Sequence, residues 1–213
     1  MKNLLSMRPS VRPLAVALAA LTIVAALPAC APLIVGGAMV GGSLMAIDRR
    51  TSGAQVEDQS IELKGAARVR ELATLGSVNL TSYNRMVLIS GEVPTEPDKA
   101  RVEEALLKLE NVRSVVNELA VQPNSSLSDR SRDALTSGKV KATLIDAKDM
   151  QAHAVKVVTE RGIVYLMGLV TEREANRASD IARSVPGVQK VVRVFEVISE
   201  EELAGTLARP NKP

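Results

Sequence analysis

The chain contains an internal repeat, and this repeat constrains the fold more than any other feature. The segment 85–93 (RMVLISGEV) aligns with the segment 162–170 (GIVYLMGLV) at an offset of 77 residues. The apolar positions that follow align at an offset of 76, because the loop 94–97 of the first copy holds one extra residue. Copies of about 70 residues are too long for solenoid units, so the repeat predicts two small domains.

Each copy predicts the same order of elements. A helix, at about 55–73 and again at about 129–147, precedes an alternating strand, a turn and a continuous apolar strand. A second amphipathic helix and a valine-rich strand, at about 115–121 or 191–198, complete the copy. The sequence therefore predicts an α+β fold, α-β-β-α-β in each domain, with two helices on one face of a small three-stranded mixed sheet.

The residues that form turns and end helices also correspond between the two copies. The turns between the first two strands fall at Asn84-Arg85 and Arg161-Gly162. Asn111 and Gly187 follow the second helices, and both residue types tolerate the left-handed backbone that ends a helix. Each copy is thus expected to fold in the same way.

The first thirty residues have the three parts of a secretory signal. Basic residues without acidic ones precede an apolar run at 14–27, which is shorter than the about 20 residues of a membrane-spanning helix. Residues 1–29 are therefore predicted to be a cleaved signal peptide. The only cysteine, Cys30, directly follows Leu27-Pro28-Ala29, and this arrangement resembles the lipobox of bacterial lipoproteins.

The lipobox resemblance implies cleavage before Cys30 and attachment of acyl chains, palmitate among them, to this residue. The alternative is an ordinary signal peptide with an incidental cysteine, but a lone free thiol is a liability in an oxidising periplasm. Ala31 and Pro32 follow the cysteine, and the absence of Asp there implies sorting to the outer membrane, facing the periplasm.

Residues 30–50 are predicted to be a lipidated, glycine-rich linker. The apolar part could lie on the membrane as a helix or pack against a similar segment, but a flexible linker is the interpretation we favour. Asp48-Arg49-Arg50 is expected to mark the return of the chain to water.

Removal of the signal peptide changes the charge of the chain. It takes three basic residues away and leaves 24 basic and 24 acidic side chains, so net charge predicts no nucleic-acid partner. Residues 51–125 carry 8 basic and 11 acidic side chains, whereas residues 126–199 carry 12 and 9. The second domain is therefore the one that anionic lipid attracts.

The motifs of the repeat resemble the BON domain, a small periplasmic module. Gly91-Glu92-Val93 and Gly168-Leu169-Val170 match its glycine-x-valine after the second strand, and Gly187-Val188 matches its Gly-Val turn, where the first copy has Asn111-Val112. The runs 48–58, 81–83 and 165–174 resemble dual BON-domain outer-membrane lipoproteins, the DolP-like group. The predicted domains are 51–123 and 126–199, followed by a C-terminal tail at 200–213.

The sequence offers little chemistry for catalysis. His153 is the single histidine, has no cysteine partner and is interpreted as an inert surface residue. Glu172 and Glu174 could form an acid/base pair, but their place at a helix start favours an interaction with the helix dipole. Gly91 and Gly168 indicate a bend or a close helix approach. We expect no enzyme, no metal and no cofactor.

The first helix of the second domain is the candidate membrane contact. At 100° per residue its inward and outward faces separate, and two aliphatic side chains beside lysines on an outward face are typical of an interfacial helix. The alternatives are that these aliphatic side chains are exposed without a function or pack on domain 1. The predicted inward residues are Val140, Leu144 and Ala147; the outward ones are Leu135, Lys139, Ala142 and Ile145, with Lys141 beside them.

The resemblance adds a ligand and a rival function. In DolP-like proteins this helix binds anionic phospholipid, phosphatidylglycerol especially, with a tryptophan at the position of Leu135 and an aliphatic residue at that of Ile145. It also implies a link to the outer-membrane β-barrel assembly machinery. The rival hypothesis is therefore a protein-interaction scaffold, which would use the acidic first domain or the sheet faces that the helices leave bare.

Overall fold

The computed structural model describes residues 48–72 and 75–207. Cys30 and most of the predicted linker lie outside the described residues, so cleavage and acylation stay predictions. Within the described ranges, no helix combines the length and the apolar character that crossing a bilayer requires.

The first domain is built around a mixed sheet with strand order β1-β2-β3. β1 pairs antiparallel with β2, and both β3 and β4 pair parallel with β2. Its elements are α1 (Ser52–Glu71), β1 (Ser77–Tyr83), β2 (Met86–Val93), α2 (Glu96–Leu107), β3 (Ser114–Asn117) and β4 (Ala120–Val121).

The second domain has the same topology with strand order β5-β6-β7, in which β5 pairs antiparallel and the single strand β7 pairs parallel with β6. The predicted α-β-β-α-β order is therefore confirmed in both copies. Within the segment 200–213 a further helix forms, and its Leu203 is buried. The elements are α3 (Leu127–Asp146), a 3-10 turn (Ala152–Ala154), β5 (Val155–Glu160), β6 (Ile163–Thr171), α4 (Glu172–Ser184), β7 (Lys190–Ile198) and α5 (Glu200–Leu207).

Side-chain caps fix where the first four helices begin. At each N-terminus a hydroxyl accepts a hydrogen bond from a backbone N–H that the helix itself leaves unpaired. In α3 and α4 the carboxylate three residues later returns a second bond, which completes a capping box. Asn111 and Gly187 have φ of 66° and 102°, as predicted. The capping residues are Thr51, Thr95, Ser126 and Thr171.

The helices of each domain cover one face of its sheet, as predicted. In domain 1, Ile61 of α1 and Val102 and Leu106 of α2 pack against Val87 and Ile89 of β2. The matching cluster of domain 2 is formed by Val140, Leu144, Val155, Val157, Val164, Leu166, Ala178, Ile181 and Ala182.

The last strand of domain 1 differs from the expected single strand at 115–121, because it is split into β3 and β4. At the break the side-chain oxygen of Asn117 accepts the backbone N–H of Leu119 at 3.2 Å. Opposite, Gly91 bends β2 with a φ of 107°. A Cβ on Gly91 would lie 2.0 Å from the carbonyl oxygen of Ser77, so the close neighbour is backbone rather than a helix.

The faces opposite the helices bury one another. Tyr83, Met86 and Leu88 of domain 1 form one apolar cluster with Tyr165 and Met167 of domain 2. The hypothesis that these faces are left bare for a partner protein is therefore wrong. All eight residues of β2 are buried, which explains why its first four residues, 86–89, are continuously apolar rather than alternating.

Candidate functional site

Helix α3 presents one uncharged face to solvent along its whole length. The exposed fractions of Leu127, Leu135 and Ile145 are 82%, 67% and 62%, so none of these side chains is buried on domain 1. At 100° per residue the face occupies an arc of about 100°. Its exposed members are Leu127, Ser131, Ala134, Leu135, Gly138, Ala142 and Ile145.

Basic side chains border this face on both sides, and the exposed Asp146 adjoins it at the C-terminal end. Arg130 and Lys141 lie along one side, and Arg132 and Lys139 along the other. The two arginines have partners, whereas the described residues show no ion pair for either lysine. Both lysines are exposed and free to approach an anionic surface.

The inward side of α3 holds the domain together. Val140 and Leu144 are almost fully buried, which confirms the predicted inward face. Asp133 is also buried, and its carboxylate accepts the backbone N–H groups of Arg161 and Gly162 at 2.7 and 2.8 Å. It thereby fixes the turn between β5 and β6.

Gly138 in the middle of the outward face weakens α3. A Cβ at this position would meet no atom within 4 Å, and its φ is not positive. We expect Gly138→Ala to raise the free energy of unfolding by about 0.5–1 kcal/mol, because alanine costs less backbone entropy in a helix. Thermal denaturation checks this result, and an unchanged or lower midpoint would contradict it.

In domain 1, Asp58 of α1 has the same role as Asp133 has in domain 2, and it has more hydrogen-bond partners. Its carboxylate accepts the backbone N–H groups of Asn84 and Arg85, both at 2.7 Å, and the hydroxyl of Ser82 at 2.7 Å. The guanidinium of Arg50 donates a further bond at 2.8 Å. Burial alone would raise the pKa of Asp58, but these hydrogen bonds outweigh it and lower the pKa below its usual value.

Arg49 does not mark a return to water, contrary to expectation. Arg49 is only 6% exposed, and its guanidinium donates to both carboxylate oxygens of Glu174 at 2.7 Å. It also donates to the carbonyl of Leu169 at 2.9 Å and to the amide oxygen of Gln151 at 3.2 Å. This fork holds the segment before α1 against domain 2.

Glu174 has two structural tasks. Besides binding Arg49, it accepts the backbone N–H of Thr171 and so completes the capping box of α4. The hydrogen bond from Arg49 is the main reason that its pKa is lowered. Glu172 instead pairs with Arg193 at 3.1 Å. The helix-start interpretation of these two carboxylates is supported over the acid/base pair.

Arg50 turns in the opposite direction, into domain 1. It binds Asp48 and Asp58 at 2.7 and 2.8 Å, and its guanidinium carbon lies 4.2 Å from the ring centre of Tyr83. Consecutive arginines therefore contact different domains.

Further polar contacts join the domains away from this point. The fully buried Glu92 of β2 accepts a hydrogen bond from Arg161 at 2.6 Å. Arg113 binds both carboxylate oxygens of Glu196 at 2.8 and 2.6 Å, and the side chain of Asn84 donates to the same carboxylate at 2.7 Å. With the apolar interface, these contacts favour one fixed arrangement of the domains.

The family model for the BON domain matches residues 58–123 and 132–199, each of which covers one copy of the fold described above except the first turns of its first helix. The chain belongs to the BON-domain family. Similar proteins support this family assignment. Outer membrane lipoprotein DolP of Haemophilus influenzae is 37% identical over 81% of this chain and 90% of its own length.

Two further relatives of this BON protein carry other names. The 21 kDa hemolysin of Actinobacillus pleuropneumoniae is 30% identical over 71% of this chain and 80% of its own length. Osmotically-inducible protein Y of Escherichia coli is 27% identical over 64% of this chain and 70% of its own length. With the DolP relative, the family places this chain among dual BON-domain outer-membrane lipoproteins.

Within the described part of this BON protein, no group of three metal-binding side chains comes together. His153 is exposed on the 3-10 turn. Leu127 is a member of the outward face that sequence reasoning missed, although its spacing of eighteen residues from Ile145 places both on one side of a helix. Arg49 and Glu174 carried no local signal, because 125 residues separate them.

Proposed function

We propose that this BON protein is a non-catalytic lipoprotein of the outer membrane, anchored at Cys30 and facing the periplasm, that binds anionic phospholipid through α3. Its binding supports the integrity of the outer membrane. The observation that carries the proposal is the exposed face of α3, where Leu127, Leu135 and Ile145 lie between two lysines for which the described residues show no ion pair. Phosphatidylglycerol is the expected lipid.

The contact of α3 alone is expected to be weak. Full burial of a leucine or isoleucine contributes about 1.5–3 kcal/mol, and a basic residue near an anionic membrane contributes about 1 kcal/mol. Three partly inserted aliphatic side chains and two lysines then give on the order of 5 kcal/mol. This corresponds to a dissociation constant of roughly 0.1–1 mM.

The proposed anchor makes such a weak contact sufficient. Each acyl methylene in the bilayer contributes about 0.8 kcal/mol, so several chains on Cys30 hold the protein at the membrane. Tethering then raises the effective concentration of lipid around α3. Leu135, at the position of the family's aromatic residue, supplies apolar area without a polar ring edge.

The charge of the two lysines tests the proposal directly. We expect a soluble form that begins at Asp48, and so keeps Arg49, to bind phosphatidylglycerol vesicles and not phosphatidylcholine vesicles. Lys139→Gln/Lys141→Gln should weaken this binding by about tenfold, and added salt should weaken it further. Vesicle co-sedimentation measures both effects.

A matched control is available on domain 1. Lys64→Gln/Lys108→Gln removes two exposed lysines elsewhere and should leave binding unchanged. Equal binding to both vesicle types, or equal losses in the two double variants, would count against lipid recognition by α3.

The second candidate function is a protein-interaction scaffold associated with the β-barrel assembly machinery. Val56 and Leu63, one heptad apart on the outer side of α1, are 68% and 73% exposed on the acidic domain. Crosslinking in intact outer membranes tests this function. Loss of crosslinks to assembly subunits in Val56→Glu/Leu63→Glu, but not in Leu135→Glu/Ile145→Glu, would favour the scaffold.

A further inference from the structure

The segment 48–50, which follows the predicted tether, holds both domains at once. Arg49 binds Glu174 of domain 2 through two hydrogen bonds of 2.7 Å. Its neighbour Arg50 binds Asp58 of domain 1. The chain that arrives from Cys30 is therefore fixed to the body before α1 begins.

A contribution to the stability of the fold does not explain why Arg49 and Glu174 form a buried pair. Burial strips water from both charges, and replacement of such pairs by apolar residues is often neutral or stabilising. Within the described ranges the Nε atom of Arg49 is buried without a hydrogen-bond partner, which adds a cost. A buried pair of this kind specifies one position of the chain more than it stabilises the fold.

The position that the pair specifies lies at one end of α3. Arg49 lies 3.2 Å from the side-chain oxygen of Gln151, five residues after the last residue of α3. A helix of 20 residues is about 30 Å long. The fixed point therefore lies closer to the C-terminal end of α3, which carries Ile145, than to the end that carries Leu127.

We propose that Arg49 and Glu174 form a clamp that makes the tether leave the body beside Ile145, and so presents this end of α3 to the bilayer. This inference rests on the proposed lipid contact of α3. Without the clamp the tether would leave from Arg50, on domain 1. The face of α3 would then sample many orientations, and its effective concentration at the membrane would fall.

The full-length acylated protein in phosphatidylglycerol vesicles provides the test. A fluorophore on Lys148→Cys, two residues after α3, reports the approach of this end to a lipid-attached quencher. The same fluorophore on the exposed Leu107→Cys of α2 is the reference. Cys30, once acylated, does not react with the label.

The neutral variant Arg49→Leu/Glu174→Gln removes the clamp and leaves no buried charge. Its glutamine oxygen still accepts the N–H of Thr171, so the cap of α4 is kept. We expect quenching at position 148 to fall by about half or more, quenching at 107 to stay equal or rise because domain 1 then approaches the bilayer more often, and the thermal midpoint to stay unchanged. Arg49→Lys, which keeps the charge and loses the fork, should give an intermediate value.

The outcomes separate the clamp from the proposed function. Quenching at 148 that is equal in the parent and both variants would overturn the clamp and leave the lipid contact standing. An unquenched parent would overturn the lipid contact of α3, and the clamp with it. If the double variant does not fold, Arg49→Lys decides by the same comparison.

Discussion

Leu135→Glu/Ile145→Glu will abolish the binding of the soluble form to phosphatidylglycerol vesicles. The substitutions remove two inserting side chains and place two carboxylates against an anionic surface. Both changes act in the same direction, so the affinity should fall by more than about tenfold. Because both positions are exposed, the free energy of unfolding should change by no more than about 0.5 kcal/mol.

The matched control uses the corresponding helix of the other domain. Val56→Glu/Leu63→Glu introduces the same two charges at equally exposed aliphatic positions of α1. Vesicle co-sedimentation should show unchanged binding for this variant. If it loses as much binding as the α3 variant, net charge rather than the face of α3 governs the interaction.

Asp58→Ala will destabilise the protein more than any surface substitution. Asn84 and Arg85 would lose the acceptor for their backbone N–H groups, and Arg50 would lose a buried partner. The loss of these hydrogen bonds is expected to cost about 3–5 kcal/mol in total. Urea denaturation followed by circular dichroism measures the loss.

The repeat supplies an internal standard for this prediction. Asp133→Ala removes an acceptor from two backbone N–H groups but from no arginine. It should therefore cost about 2–3 kcal/mol, less than Asp58→Ala. Equal losses would show that neither Arg50 nor the hydroxyl of Ser82 contributes, and a loss below about 1 kcal/mol for Asp58→Ala would contradict the role assigned to its carboxylate.

Local patterns were sufficient to predict the architecture of each domain. The alternation around Val78 and Val155, the turns, and the left-handed residues Asn111 and Gly187 are all encoded within a few neighbouring positions. The inward and outward sides of α3 follow equally from helical spacing, because burial depends on a period of 3.6 residues.

The contacts between the domains could not be derived in this way. The side chains of Tyr83 and Tyr165 meet through the folding of two separate sheets, and no periodicity links them. The resemblance to DolP-like proteins rests on the runs 48–58, 81–83 and 165–174, but it does not explain why these segments have the residues they have. The structure supplies the reason: these runs contain Arg49, Asp58 and Glu174, whose side chains lock the domains and the tether.

The packing of sheet against sheet has a consequence for the order of events during synthesis. Domain 1 is made first, and Tyr83, Met86 and Leu88 have no cover until Tyr165, Met167 and Val194 have been added. A half-finished chain thus displays an apolar surface that the finished protein hides, and such surfaces promote aggregation. Premature termination after the first repeat should yield an aggregation-prone fragment, which a chaperone must shield, rather than a smaller functional domain.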